Sequence, residues 1–518
     1  MLLTTLMALP LVGALVVFAL PLGRELLAKQ IALFTALVTA AGAVFLGINL
    51  DANAVGMQFV ESYEWIPSFG ISWAVGVDGI AAVLIVMATI LVPLVMIAGW
   101  NDVENIGQGT VKGYFSLFLV LETFMIGVFA ATDLFLFYVF FEAMLIPVYL
   151  LIGRFGGPQR AYAAMKFLLY SLVGGLFMLA SLIGLYVASG KELGAGTFDF
   201  SALAALNLDP ATQKILFLGF FFAFAVKAPM VPFHTWLPDA AAQATPATST
   251  LLVGVLDKVG TFGMIRYLLP IFPDASKYYA PVIIGLAVVS IFYGALLAIG
   301  QTDLLRLVAF SSVSHFGFIV MGIFAMTSQG LSGSTLYMVN HGFSTGALFI
   351  VVGFLISRRG SKYIADFGGV NKVAPVLAGV FLMAGLSSLA LPGMSSFVSE
   401  FLVLAGTFSV YQTAAIIATF GIVLAAVYIL WMYQRTMTGA PSNEVQETVS
   451  EISKRELIAI TPIIAVIIAL GFVPQVALDV INPAVEQIQI QIEVTDLPPA
   501  LSEVVSLGVN TPGEGVNS

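Results

Sequence analysis

Cysteine is missing from all 518 residues, so the chain has no thiolate for an iron–sulfur cluster and no disulfide, and any redox centre that works with it has to sit on another chain. Charge is nearly as scarce. Asp, Glu, Lys and Arg make up 9% of the sequence, against roughly a quarter in soluble domains, and histidine occurs three times. With 59% hydrophobic residues and a mean hydropathy of +1.02, a soluble domain with a charged shell is excluded and a polytopic membrane protein remains. The net charge of −9 lies in loops and the C-terminal tail and offers nucleic acid no basic surface. Met1–Leu20 has neither a basic start nor a small-residue cleavage site, so it reads as a first membrane helix rather than a signal peptide.

A bilayer demands about 20 apolar residues per crossing. By that measure, helices 1 to 14 fall at 2–21, 29–50, 79–99, 112–131, 133–153, 166–188, 212–232, 244–268, 278–299, 303–325, 331–357, 375–407, 414–435 and 457–479. The expected fold is an all-α polytopic membrane protein. An even number of crossings puts both ends on one face, and the basic residues choose which. Of the 20 Lys and Arg residues, Lys227 and Lys258 lie inside helices; with the N-terminus outside, Lys191, Lys214, Arg266 and Lys277 are external and the other 14 are cytoplasmic. Both termini are therefore expected on the non-cytoplasmic side. The loop 51–78 alternates apolar and polar residues around Pro67 and Gly70, the pattern of a short external β-hairpin. After Leu478 the acidic tail is expected to lie at the membrane surface over IQIQIEV (488–494) and to be disordered over its last ten residues.

Two of the expected helices cannot be straight. Helix 7 places Lys227 among apolar residues and follows it at once with Pro229 and Pro232, and proline removes an amide donor and clashes with the preceding turn. The polar run HTWLPD (234–239) then leads into helix 8, which carries Asp257 and Lys258. Helix 12 is too long for one straight crossing and carries Pro392–Gly393 just before Glu400. A break inside the bilayer is tolerated only where protein or water satisfies the freed backbone. Two such segments, five helices apart and each holding an ionisable residue, point to inverted repeats of five helices, about 4–8 and 9–13. The chain then divides into residues 1–111 (helices 1–3 with the hairpin), 112–268 (first repeat), 278–435 (second repeat) and 436–518 (helix 14 and the tail).

At about 1.5 Å per residue, Glu142, Lys258, His315 and His341 each fall roughly 14 to 21 Å into their helices, near mid-membrane. One such residue reads equally well as half of a structural ion pair. A row does not, because each central charge costs at least ~2.5 kcal/mol to insert, and several at one depth indicate a continuous polar path. All three histidines, His234, His315 and His341, lie in or beside membrane helices, and a side chain that titrates near pH ~6.5 exchanges protons at neutral pH. A lone buried histidine is more often a satisfied core residue; three alongside two lysines favour a relay. No two histidines share a helix face at four-residue spacing, which disfavours a metal site. Burial and nearby carboxylates pull the protonation of Lys227 and Lys258 in opposite senses, so each can load and release a proton. Glu142, one turn before Pro147, is the expected partner of Lys227. Glu122 in helix 4 either lines the same path or is structural, and Asp257 points about 100° away from Lys258, toward a different neighbour. Asp78, Asp133, Asp239 and Asp303 stand at helix ends, where capping is the expected role.

FLFYVFFEAMLIPVYLLIGRFGG (135–157), KAPMVPFHTWLPDA (227–240), SSVSHFGFIVMG (311–322), NHGFSTGALF (340–349) and LPGMSSFVSEF (391–401) closely resemble the subunit M (chain 4) family of the bacterial proton-pumping NADH:quinone oxidoreductase, respiratory complex I. The resemblance runs from about Gly76 to Val473. It implies an antiporter-like membrane subunit with fourteen helices and inverted repeats, driven by NADH oxidation and quinone reduction elsewhere in the complex. It also implies Glu142, Lys227, Lys258 and Glu400 as the proton-translocating residues, to which the reading of the residues above adds His234, His315 and His341 as a relay and Glu122 and Asp257 as lesser candidates. Glutamate rather than lysine at 400 separates this family from its two sister subunits, and the expected absence of a long amphipathic helix after residue 479 argues again against one of them, subunit L. The implied partners are the other membrane subunits of the complex, the two sisters among them, and the lipid of a bacterial inner (plasma) membrane. FMN, iron–sulfur clusters and quinone are implied in partner subunits, with no cofactor on this chain. The family often continues HTWLPDA with histidine, where this chain has Ala241. From depth and resemblance the expected order is Lys227, Lys258, His315, His341 and Glu400. The other reading is the large subunit of a cation/proton antiporter or of a membrane-bound hydrogenase, which shares these lysine and glutamate positions.

Overall fold

The structure, a computed structural model, describes residues 1–52, 54–104 and 110–496; the last ten residues, expected to be disordered, lie outside the described residues. Among the described residues, 12 helices are long and apolar enough to cross a membrane. They correspond to expected helices 1–7, 9–11, 13 and 14. The two missing from that set are 8 and 12; of the two expected to be broken, 7 keeps a span of full length up to its break and 12 does not.

Expected helix 12 is two pieces, Pro375–Ser388 and Ser395–Val410, separated by a turn in which Gly393 adopts φ 90, a conformation that costs glycine nothing. Expected helix 7 ends at Lys227 and resumes as Trp236–Gln243. The break is supplied with partners, as an intramembrane break has to be: the Trp236 indole donates to the Val226 carbonyl at 2.9 Å, and the Val231 amide donates to Ser290 Oγ at 3.0 Å. Helix 5 is interrupted more gently, at Met144 between Leu134–Ala143 and Leu145–Phe155, three residues before Pro147, whose missing amide cannot continue the ladder.

Expected helix 8, read as one regular helix over 244–268, needs correction. It begins at Pro246 and alternates α and π winding, with π stretches at Leu252–Leu256 and Met264–Leu268 on either side of Lys258–Gly263. Widened turns are rare and re-aim the side chains that follow them, here Asp257 and Lys258. The segment packs backbone to backbone on the break in helix 7: a Cβ on Gly260 would stand 2.5 Å from the Phe224 carbonyl oxygen, so only glycine fits.

One device recurs at the start of helices 5 and 10. Thr132-Asp133-Leu134 opens helix 5 and Thr302-Asp303-Leu304 opens helix 10. Asp133 Oδ1 accepts from the amides of Phe135 and Leu136, and Asp303 Oδ1 from those of Leu305 and Arg306. Each aspartate also sits in an isolated antiparallel bridge to the segment beyond the next helix, Asp133 with Asp199 and Asp303 with Tyr363. Asp78 caps its helix too, accepting from Ala81 N at 3.0 Å, and it pairs with Arg266. Asp239 is not a cap: it holds Lys166 at 2.7 Å and Arg306 at 2.6 Å, tying the first repeat to the second.

The hairpin is present, as antiparallel strands Gln58–Ile66 and Ile71–Val77. Before the tail's last residues a further helix is present. Residues 475–491 form a helix that buries Ile481, Val485 and Ile488, so the segment expected to lie flat from 488 is its last turn. At 17 residues it is short, and it qualifies the argument from an absent amphipathic helix. The centre of the bundle is helices 10 and 11, Leu304–Ala325 and Ser328–Arg359, whose apolar 18-residue stretches are 94% and 89% buried, against 28% for that of Lys454–Phe472. These two carry His315 and His341.

Candidate functional site: a row of buried ionisable side chains

Lys227, Lys258, His315, His341 and Glu400 are all buried, each at most 4% exposed. Starting from the first repeat, Lys227 is the last residue of its helix, and its Nζ has no hydrogen-bond partner among the described residues. It faces rings instead, 4.9 Å from Phe141 and 5.7 Å from Phe167. The charges that act on it are Glu142 and Asp257. Glu142 is not in direct contact with it, so the expected partnership is electrostatic rather than an ion pair; Glu142 Oε1 is likewise without a partner. Gly175 makes room for that carboxylate, since a Cβ there would stand 1.7 Å from Glu142 Oε1. Asp257, with both oxygens unpartnered, is acted on by Lys258 and Lys227. Asp257 is thus within electrostatic reach of both lysines, its chain neighbour Lys258 included.

From Lys258 onward contacts replace fields. Lys258 Nζ donates to the Val253 carbonyl of the first π stretch and lies 2.7 Å from His341 Nδ1. His341 Nε2 is 3.2 Å from Ser312 Oγ. The rings of His341 and His315 are centred 5.3 Å apart. His315 Nδ1 is 2.8 Å from Tyr337 Oη, His315 Nε2 is 3.0 Å from Tyr428 Oη, and the Tyr337 hydroxyl reaches Glu400 Oε2 at 3.1 Å. The order is thus Lys258, His341, His315, Glu400, the reverse of that expected for the two histidines. Helices 10 and 11 run antiparallel, which sets Ser312 level with His341 and His315 level with Tyr337.

Asn340, next to His341, clasps the second break: its Nδ2 donates to the Ser395 carbonyl at 2.6 Å and to Ser399 Oγ at 3.2 Å. A cavity of about 650 Å³ opens where helices 7 and 8 join, lined by Gln243, Thr245, Asp303, Arg306 and Lys362 among others. From it hydroxyls lead inward: Thr245 Oγ1 is 2.6 Å from Tyr114 Oη and 2.9 Å from Thr248 Oγ1.

Two expected members stand apart. His234 packs edge-on against Tyr293 at 5.0 Å and near Phe310 at 6.4 Å, and the charge acting on it is Lys166, so its neighbours are not those of the row. Glu122 is fully buried with neither oxygen partnered. Gly175, Ser312, Tyr337, Asn340 and Tyr428 escaped the sequence reading. For two pairs a signal was available: Ser312 and His315 are three apart and Tyr337 and His341 four apart, spacings that share a helix face.

A helical membrane protein with two interrupted helices, each break near a buried ionisable group, has the architecture of an ion translocator. Residues 131–425 match the family described as NADH:quinone oxidoreductase/Mrp antiporter, transmembrane. NADH-quinone oxidoreductase subunit M of Mycobacterium tuberculosis is 49% identical over 99% of this chain and 98% of its own. The same subunit of Rhodobacter capsulatus is 42% identical over 88% of this chain and 90% of its own. Respiratory complex I from Thermus thermophilus with bound NADH contains a chain superposing with a TM-score of 0.85 at 29% identity, covering 94% of this chain and 99% of that one. A chain of the Mrp complex from Dietzia superposes at 0.84 with 22% identity, covering 95% of this chain and 100% of its own, a likeness of fold. The chain belongs to the subunit M family of NADH-quinone oxidoreductases, within that wider antiporter-like family.

Proposed function

We propose that this chain carries protons across the membrane as an antiporter-like subunit of NADH:quinone oxidoreductase, through Glu142, Lys227, Asp257, Lys258, His341, His315 and Glu400. The observation that carries the reading is the unbroken succession of buried titratable groups from one broken helix to the other: charges in mutual reach as far as Lys258, then hydrogen bonds and one ring contact to Glu400. Isolated structural ions would be paired in place; here Lys227, Glu142 and Asp257 each keep an atom with no protein partner, at a cost of several kcal/mol that a merely structural site has no reason to bear.

Uptake is assigned to the cavity at 242–246 and its threonine hydroxyls. Arg306 and Lys362 line it and Lys166 lies beside it, pairing with Asp239, so the predominance of basic residues on one face makes this side cytoplasmic and puts both termini on the other. Release follows Glu400 at the second break. The inner (plasma) membrane is the proposed location, with helices 8 and 12 each crossing it despite their interruptions, for fourteen in all, and with functional units at about 112–268 and 278–435. Redox chemistry is assigned wholly to partner subunits holding FMN, iron–sulfur clusters and quinone, since a chain without cysteine has no thiolate to bind a cluster. His234 serves the uptake side, and Glu122 stays a possible member.

The test is proton translocation by the purified complex in vesicles. Lys227→Ala and Glu142→Ala should each lower the proton-to-electron ratio or the coupled rate of NADH oxidation. If both leave these unchanged with the complex intact, the relay is wrong.

A further inference from the structure

Between His315 and Glu400 the row is joined through a third side chain. His315 and Glu400 are both buried, on helix 10 and on the second piece of helix 12, and the group hydrogen-bonded to both is the phenol of Tyr337 on helix 11. We propose that Tyr337 is a working member of the relay, passing a proton between His315 Nδ1 and Glu400 Oε2, while the phenol of Tyr428 selects the histidine tautomer that lets it do so. The proposal rests on the proton-transfer reading above and adds to it residues that neither the sequence nor the family resemblance indicated.

A phenol both donates and accepts, so it can move a proton without acquiring charge. With His315 protonated on both nitrogens and Glu400 ionised, the Nδ1–H bond breaks toward Tyr337 Oη as the Tyr337 O–H bond breaks toward Glu400 Oε2. Histidinium and carboxylate become neutral imidazole and carboxylic acid, and the tyrosine is neutral before and after. The heavy-atom distances, 2.8 Å and 3.1 Å, are those of made hydrogen bonds. Neutral His315 then keeps its remaining proton on Nε2, where Tyr428 Oη at 3.0 Å accepts it, and Nδ1 is left as acceptor toward Tyr337. Fixing one ring nitrogen through the partner of the other is how a protein chooses a histidine tautomer. The alternative, that Tyr337 is only a packed aromatic, accounts for its ring but not for a hydroxyl placed between these two atoms.

Tyr337→Phe keeps the ring and deletes the hydroxyl. In purified complex of verified subunit content, reconstituted in vesicles, it should lower proton-coupled turnover by about tenfold or more, the scale of one positioned proton-transfer group. Tyr428→Phe, which leaves the His315–Tyr337–Glu400 contacts in place and loosens only the choice of tautomer, should lower it several-fold less and shift its pH profile. Equal behaviour of the two variants, whether equal loss or equal retention, would overturn the bridge. Should Tyr337→Phe fail to assemble, the wild-type complex reports directly: the infrared carbonyl stretch of protonated Glu400, assigned by its disappearance in Glu400→Gln, must lie at the lowered frequency of a hydrogen-bonded carboxyl. A free-carboxyl frequency overturns the proposal. Lys258→Met separates the two failures. If it stops pumping while Tyr337→Phe pumps normally, the relay stands and the bridge falls; if it pumps normally, the relay itself falls.

Discussion

The two repeats carry equivalent breaks but handle charge in opposite ways. In the first, Glu142, Lys227 and Asp257 act on one another without hydrogen bonds, amid the rings of Phe141 and Phe167. In the second, each member is held: His341 by Lys258 and Ser312, His315 by two tyrosines, Glu400 by Tyr337. Contact is not needed for coupling in a low-dielectric interior. Two unit charges some 6 Å apart at an effective dielectric of about 20 interact by about 3 kcal/mol, which moves a protonation equilibrium roughly a hundredfold. The first half is therefore suited to respond to a field, and the second to hand a proton along defined bonds. A change of protonation in the first half needs no bond to break; in the second it requires bonds to reverse in sequence.

The largest effect is expected at the joint of the two halves. Lys258→Met and Lys258→Arg should both reduce coupled turnover by about tenfold or more, because arginine holds its proton at any physiological pH. An active arginine variant would make the site a fixed ion pair and dissolve the contrast. Next comes Glu400, for which Glu400→Gln should assemble normally and pump poorly, Glu400→Asp should keep part of the activity, and Glu400→Lys should keep some function if only a titratable group is required. Full proton translocation by Glu400→Gln would show that this carboxylate carries no proton.

A smaller effect is expected where the first half is displaced rather than deleted. In Gly175→Ala the new methyl would stand 1.7 Å from Glu142 Oε1, so the carboxylate has to swing aside; assembly should be normal and turnover lowered less than in Glu142→Ala. Equal loss in both would mean the helix contact, not the field, was disturbed. A double-mutant cycle between Glu142→Gln and Lys227→Met should be strongly non-additive, whereas additivity would deny the electrostatic coupling. The smallest effect compares the repeated caps. Asp133→Ala and Asp303→Ala should each cost about 1 kcal/mol in helix capping, read as lost thermal stability of the complex. Asp303 should cost more, since it also holds Lys362 at 2.9 Å.

Much of this architecture was legible in the chain. Apolar runs of bilayer length, Pro229 and Pro232 after Lys227, and Pro392–Gly393 before Glu400 dictate where helices cross and where they break, because proline cannot donate to the ladder and lipid offers the backbone no substitute. The identities of the buried charges were legible for the same reason: in a sequence so poor in charge, each one inside an apolar run stands out. His234 was read into the row from composition alone, and its neighbours proved to be Tyr293, Phe310 and Lys166.

Order and partnership were left to the tertiary structure. A sequence states how far along a helix each group lies, but two residues on different helices meet according to the rotation and direction of those helices. Antiparallel packing of helices 10 and 11 therefore put His341 before His315, and Lys258, between two π stretches, meets His341 across helices. Tyrosine at 337 is one of 16 and carries no signal of its own, because a phenol is equally at home in any apolar core with one polar contact. Only the convergence of three helices sets its hydroxyl between a histidine and a glutamate. Local sequence decides which groups enter the membrane; the packing of helices far apart in the chain decides which of them can exchange a proton.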